Sequence, residues 1–389
     1  MESFLLMNKD RPVLKFTILE GTFGTVELKE TERYTDLLPL GFRSIQSWIE
    51  SRQAPKHREH IAELMRVCGC SRLDGFVKIT HALSLNDTFW TKPEESSLRW
   101  DEVSLYKNEF DETIARIAFE GGMYGARFPT TSPEFETDGS FAKCWVRDPD
   151  GTISLLKRGS SGSRNAGLEP FSEVYASQVA NRICKEFVPY TSVIYHGKLA
   201  SKCPLFTNEK TGFVPIYKCL QTDLTVTNVL RYMEEHGAED AFRRMLVLDA
   251  LILNTDRHAG NYGMMFDTDT LQILKMGPVF DHNQALLPYA EEEDFLHLEE
   301  YLATRPTRIG EDFNEIAYEA LTPEIRSDLI QMKGFQFQRN QKIGLPEERL
   351  KALEGMINLQ IDQILKRKQL FLSKGNEKPA HKKNSVKIK

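Results

Sequence analysis

The sequence predicts an α+β chain: an antiparallel, strand-rich lobe, then a helical lobe, with an extra α/β subdomain ahead of both. Three observations predict it. Turn signals recur at close spacing between residues 137 and 151, with strand-like runs around them. Helical spacing of apolar residues dominates after about residue 221. The first 125 or so residues mix short strand-like runs with helices, and Gly121, Gly122 and Gly125 mark their end. The expected organisation is therefore an N-terminal subdomain over 1–125, a β-rich lobe over 126–220, a helical lobe over 221–373 and a basic flexible tail over 374–389. A length of 389 residues suits two or three domains at roughly 150 residues each.

Taken in order, residues 14–19 read as a strand, closed by a turn at Gly21 and Gly24. Ala54-Pro55 opens a helix that runs through Ile61, Leu64 and Met65 and stops near Gly69, with Pro at the start and Gly past the end. With Leu73 and Phe76 beyond it, the segment reads either as an ordinary helix and its exit loop or as a helix-turn-helix. A strand at Phe135-Glu136 leads into the turn Thr137-Asp138-Gly139-Ser140, and residues 141–147 form the next strand. Asp148-Pro149-Asp150-Gly151 has the composition of a type I turn, and residues 152–157 return. A Gly/Ser-rich loop, 159–167, precedes a helix carrying Phe171, Val174, Tyr175, Val179 and Ile183. Strands follow at 191–196, 199–206 and 212–217. Residues 238–253 form a long helix, 262–266 and 271–274 a hairpin, and 315–372 a helical stretch.

Composition narrows the function. Apolar residues at 41% and charged residues at 27% are ordinary globular values, which excludes disordered, fibrous and membrane-embedded classes. The net charge of −6 argues against a DNA-coating protein, and no direct nucleic-acid binding is expected. Six Lys and one Glu over 374–389 make a basic tail on an acidic body. The most apolar run, 245–253, is interrupted by Asp249 and is too short to cross a bilayer. Six cysteines without a framework spacing, and no signal peptide, lead to the expectation of a cytoplasmic protein with reduced thiols.

The sharpest chemical signal is Asp256-Arg257-His258-Ala259-Gly260-Asn261, with Asp281 twenty-five residues after Asp256. Phosphoryl transfer from ATP needs a carboxylate to orient the attacking hydroxyl and oxygen ligands to hold Mg²⁺. A base and an Asn five residues apart, with a second Asp after a short hairpin, match that need. Upstream, the Gly-containing turn at 137–140 is of the kind that lays backbone N–H groups over phosphates. Lys157, on the strand after it, and Glu173, in the helix beyond, can pin the α/β-phosphates as a pair.

These residues resemble the HipA-like serine/threonine kinases of bacteria, most clearly over residues 130–290. The motifs are DRHAGN at 256–261, PVFD at 278–281, ISLLK at 153–157 and TDGSFAK at 137–143. The resemblance implies a two-lobed protein-kinase-like fold and transfer of the ATP γ-phosphate to a protein hydroxyl. It implies Asp256 as catalytic Asp with His258 beside the γ-phosphate. Asn261 and Asp281 would be Mg²⁺ ligands, and Lys157 the ATP-phosphate lysine with Glu173 as its partner. Thr137, Gly139, Ser140 and Lys143 would lie about the phosphates, and the strand ending at Tyr217 would lead into an adenine-contacting hinge at Tyr217, Lys218 and Cys219. A DNA-binding antitoxin-like partner and a place in a toxin–antitoxin pair are further implications. The self-phosphorylated Ser of the best-known toxins falls on Glu136 here, which leaves two readings of Thr137 and Ser140: hydroxyls that only cap the turn, or sites of self-phosphorylation on a mobile turn. DRHxxN is shared with phosphatidylinositol kinases, so a lipid kinase is the alternative enzyme, and a non-catalytic pseudokinase scaffold the alternative outside enzymes.

Overall fold

The computed structural model describes residues 2–21, 25–55, 57–121, 131–137, 139–162, 166–220, 222–303, 305–310, 312–340 and 342–373. The expected basic tail and the glycines past Gly121 lie outside them. The fold is mixed α/β, with antiparallel strand pairs and helices, and the chain forms two compact units. The first comprises residues 1–158, 204–214 and 265–273; the second comprises 159–203, 215–264 and 274 onward.

The first unit opens with β1 (Glu2–Asn8), β2 (Arg11–Glu20) and β3 (Val26–Arg33), followed by α1 (Ile45–Glu50), α2 (Ile61–Cys68) and α3 (Leu73–Thr80). β4 (Phe89–Pro93) completes a sheet in the order β3-β2-β1-β4, with β1 antiparallel to both neighbours. Alternation puts Phe4 and Leu6 of β1 and Leu14, Phe16 and Ile18 of β2 on one face. All five are buried, together with Ile45, Trp48, Leu64, Phe76 and Val77 from the three helices. Phe4 and Phe16 are direct cross-strand partners, and their rings stack at 5.7 Å.

The expected helix from Ala54 begins only at Ile61. Ala54 N–H is taken by Phe135 O, and His60 sits in the left-handed region at φ 65°, so no helix can run through it. The end is as expected: Gly69 caps α2 at φ 76°. Residues 69–72 then join α2 to α3, and both helices spend their apolar faces on the unit's own core.

α4 (Trp100–Val103) and α5 (Glu112–Glu120) lead to β5 (Lys143–Arg147) and β6 (Ile153–Arg158). These pair antiparallel across the Asp148–Gly151 turn, where Gly151 N–H donates to Asp148 O. Among the described residues, no strand directly precedes the 137–140 turn. Pro133–Phe135 is instead a 3₁₀ turn, with Ser132 capping Glu134 N–H and Pro133 in the first position, so two strands and not three flank this region.

The second unit contains α6 (Glu169–Ile183) and the hairpin of β7 (Thr191–Tyr195) and β8 (Lys198–Pro204), turned by His196 and Gly197, both at positive φ. β9 (Thr211–Pro215) ends before the expected Tyr217. Pro215 lacks the N–H a ladder needs and opens the single turn α7 (Ile216–Cys219). Residues 204–214 and 265–273 return to the first unit, which therefore takes most of β9 and of β10 (Gly263–Asp267) and the start of β11 (Ile273–Met276), in a sheet ordered β11-β10-β9; in the second unit α8 (Val226–Glu235) and α9 (Glu239–Ile252) follow α7. α10 (Glu292–Leu296), α11 (Leu298–Ala303), α12 (Phe313–Ala320), α13 (Pro323–Gln331) and α14 (Glu347–Ser373) complete the unit. The helical stretch expected over 315–372 is broken between Met332 and Pro346, where Gly334 adopts φ 77°. The six cysteines form no disulfide. Among the described residues no helix is long and apolar enough to cross a membrane.

Candidate active site

α9 is buried nearly all round and stops when Leu253 turns left-handed at φ 52°. The loop after it is knit by its own hydrogen bonds. Asp256 N–H donates to Asn254 Oδ1 at 3.1 Å, and Asp256 O accepts from His258 N–H at 2.8 Å and from Asn261 Nδ2 at 3.1 Å. His258 Nδ1 accepts from Gly260 N–H at 3.1 Å, so the imidazole proton sits on Nε2. The spacing of five between Asp256 and Asn261 is thus a closed turn.

Arg257, between them, points inward and is 1% exposed. Its Nε and Nη2 donate to the carboxylate of Asp249 on α9 at 2.9 and 3.0 Å. Its Nη1 donates to Asn261 O at 3.0 Å and to Phe280 O at 2.6 Å, and Nη2 meets His282 Nδ1 at 3.1 Å. One guanidinium therefore ties the end of α9, the 256–261 loop and the turn at Asp281 into a single piece.

Asp281 itself is left-handed at φ 59°. Its N–H donates to Tyr190 Oη at 3.2 Å, and its Oδ1 accepts from Asn283 Nδ2 at 2.9 Å. The next N–H, of His282, donates to Glu173 Oε2 at 2.8 Å. Glu173, 1% exposed on α6, thereby fixes the 281–282 turn, a contact the sequence did not suggest. Asp256 is partly exposed, and its Oδ1 lies 3.0 Å from Arg308 Nη2. Burial pushes the Asp256 carboxyl above its ordinary value; Arg308, His258 and Arg257 pull it down, and the Asp281 charge pushes it up.

These residues fit a hard cation. Asn261 spends its amide nitrogen on Asp256 O, so its oxygen is the atom that would face a cation, and Asp281 would add a carboxylate. Among the described residues no cluster of three or more His, Cys, Asp and Glu could hold a metal. An Asn–Asp pair of oxygen donors suits a cation that keeps waters and phosphate oxygens, as Mg²⁺ does.

The remaining expected residues lie on the first unit or on α6 and α7. Lys143 and Lys157 are direct cross-strand partners on β5 and β6, so both side chains leave one face, and both residues are buried, at 3% and 6% exposure. Gly139 sits over Lys143 at φ 97°, where a Cβ would lie 2.3 Å from Lys143 Nζ. Thr137 and Ser140 are each held by hydrogen bonds to other segments. Thr137 Oγ1 donates to Pro133 O at 2.7 Å and accepts Trp145 Nε1–H at 2.8 Å, and Ser140 O accepts Glu59 N–H at 3.0 Å. Beneath it Arg58, 3% exposed, donates to Glu134 Oε2 at 3.1 Å, Lys143 O at 2.9 Å and Thr137 O at 3.3 Å. The Thr137 hydroxyl is thus engaged on both sides. Tyr217 is 44% exposed on α7, Lys218 Nζ stands 5.9 Å from its ring, and Cys219 Sγ donates to Pro215 O, with burial raising its thiol to about 11.

Sequence reasoning missed Arg257, Tyr190, His282, Arg308 and Arg58. Asp249 was visible only as a charge interrupting an apolar run. That is the available signal: an acid in the middle of a buried helix requires a buried cation, and Arg257 is the nearest one downstream.

No protein-family model matches the chain, and no curated protein matches it. Among solved structures, the chain is similar to the Helicobacter pylori proinflammatory kinase CtkA at 20% identity, over 59% of this chain and 95% of that one, with a TM-score of 0.45. It is similar to HipA of Shewanella oneidensis MR-1, solved with HipB and operator DNA, at 11% identity over 95% and 97% of the two chains, with a TM-score of 0.49. A third likeness, to the CtTel1 dimer, covers 61% of this chain and 11% of that one at 12% identity and a TM-score of 0.26.

Proposed function

We propose that the chain is an ATP–Mg²⁺-dependent protein serine/threonine kinase of two-lobed, HipA-like type. The observation that carries this reading is the Arg257 guanidinium. It binds Asp249, Asn261 O, Phe280 O and His282 at once, and so holds Asp256, Asn261 and Asp281 to one rigid frame. Positioning of this kind supplies much of the catalysis in phosphoryl transfer.

In this reading Asp256 orients the acceptor hydroxyl and takes its proton as the oxygen attacks the γ-phosphorus. The bond to the β–γ bridging oxygen breaks, and ADP leaves. Asn261 and Asp281 would hold Mg²⁺, which when bound neutralises phosphate charge. Lys143 and Lys157 present two ammonium groups from one strand face beside the Gly139 turn, an arrangement suited to phosphate oxygens. Glu173 fixes the Asp281 turn through His282 N–H.

The test is mass spectrometry of the purified protein before and after incubation with ATP–Mg²⁺, alone and with a protein acceptor, beside Asp256→Asn. Phosphate transferred by the wild type and not by the variant supports the reading. Transfer to phosphatidylinositol vesicles and not to protein supports the lipid-kinase alternative. Neither transfer nor ATP hydrolysis points to a scaffold.

A further inference from the structure

The segment between α11 and α12 brings a cation onto the carboxylate proposed as the base. Arg308 Nη2 lies 3.0 Å from Asp256 Oδ1, with the two side chains 48% and 32% exposed. The placement of Arg308 is built. Ile309 beside it is 3% exposed and lines a small cavity together with Leu246 of α9 and Phe313 and Ile316 of α12. Thr307 Oγ1 accepts Ile309 N–H at 3.0 Å and donates to Ile309 O at 2.8 Å, and Pro306 stiffens the entry. Buried Ile309 thus anchors the strap, and the neighbouring Arg308 is left at the mouth of the site.

We infer that Arg308 is an internal latch on Asp256, competing with the acceptor hydroxyl for Oδ1, so that substrate must displace it before transfer. The inference rests on the phosphoryl-transfer reading and adds regulation of the same site. An acceptor hydroxyl must approach a carboxylate oxygen of Asp256 to within hydrogen-bond distance. At 3.0 Å the guanidinium N–H already occupies an acceptor position on that oxygen. Both partners are partly hydrated, and ion pairs of this kind open readily, which suits a latch and not a permanent structural bridge. The contrast with Arg257 is instructive. That arginine is 1% exposed, has four partners, and serves as a fixed strut.

The experiment compares wild type, Arg308→Ala, Arg308→Lys and Asp256→Asn in two readouts. The first is the rate at which a water-soluble carbodiimide labels Asp256, mapped by peptide mass spectrometry, and it needs no catalysis. The second is ADP release from ATP–Mg²⁺ with water as acceptor. Arg308→Ala is expected to speed Asp256 labelling and to raise ADP release about two- to fivefold, the range an exposed ion pair can contribute. Arg308→Lys should fall between, and Asp256→Asn should release almost no ADP. Unchanged labelling in Arg308→Ala overturns the latch outright. Faster labelling with slower ADP release also overturns it, because Arg308 would then serve the transferred phosphate. Faster labelling with no ADP release from any protein would end the phosphoryl-transfer reading, and the regulatory role with it, while leaving the contact itself real.

Discussion

Arg257 and Asp249 meet in the interior of the second unit, with Nε and Nη2 of the one at 2.9 and 3.0 Å from the carboxylate of the other and both side chains almost fully buried. The pair joins the last turns of α9 to the loop that carries Asp256 and Asn261. A buried pair of this kind is expensive to break on one side, because the surviving charge stays in a poor solvent. Asp249→Ala is therefore expected to cost about 3–5 kcal/mol of stability. Guanidinium unfolding followed by circular dichroism measures it, and a midpoint equal to the wild type's would show that the pair carries no structural charge.

Asp256 makes the opposite prediction. It is partly exposed, and its ion-pair partner Arg308 is half-exposed, so each stays hydrated if the other is lost. Asp256→Asn should leave the unfolding midpoint nearly unchanged while reducing phosphoryl transfer by about 10²-fold or more, the usual value of a positioned base. ATP–Mg²⁺ binding, read by calorimetry, should persist. Loss of binding together with activity would mean that Asp256 belongs to the nucleotide site and not to proton transfer.

The contrast between these two aspartates shows what the sequence could and could not tell. Hairpins with strong turn chemistry were legible: Asp148–Gly151 and Asp267–Thr270 stand where composition put them, as do the long apolar helices α6 and α9. The helix start at Ala54 and the strand before Thr137 were misread, because the Ala54 N–H bonds to Phe135 O, a residue 81 positions away that local propensity cannot see. The same holds for the site. Spacing placed Asp256, Asn261 and Asp281 in one argument, but the struts beneath them act across long separations. Glu173 accepts His282 N–H from 109 residues away, and Arg58 reaches Glu134 across 76. Periodicity and motif spacing are local signals, and side chains that bridge distant turns leave no trace in them.

Glu134 gives a pH prediction. It is fully buried and receives Trp145 N–H at 2.6 Å and Arg58 Nη2 at 3.1 Å. Burial raises its carboxyl to about 7, with Arg58 the largest opposing influence. In the unfolded chain the same group titrates near ~4.3. Between those values the folded state binds the proton and the unfolded state does not. Its stabilising contribution is therefore complete below the unfolded value and is lost as pH rises through about 7. Glu134→Gln keeps the shape and cannot titrate, so the drop in stability from pH 5 to pH 8 should shrink by an amount on the order of 1–3 kcal/mol. Urea melts at the two pH values decide it; an identical drop in both proteins would mean that Glu134 stays ionised throughout, paired with Arg58.

Two glycines near the β5–β6 hairpin separate strain from function. Gly139 and Gly151 both occupy positive φ, at 97° and 86°. A side chain at either position is strained in the left-handed region, at a cost of about 1–2 kcal/mol. Their surroundings differ. A Cβ on Gly151 would meet nothing within 4 Å, whereas one on Gly139 would lie 2.3 Å from Lys143 Nζ. The far end of a lysine can yield, so Gly139→Ala should fold, but the ammonium must move from its place on the Lys143–Lys157 face. If that face receives phosphate oxygens, the displacement weakens ATP–Mg²⁺ binding by about tenfold, the equivalent of one misplaced charge-assisted hydrogen bond. Gly151→Ala should lose similar stability and bind ATP–Mg²⁺ as the wild type does. Calorimetric titration of both variants, set beside their melting curves, tests the assignment. Equal affinities for Gly139→Ala and Gly151→Ala at equal stability would remove the 137–140 turn and Lys143 from the nucleotide site.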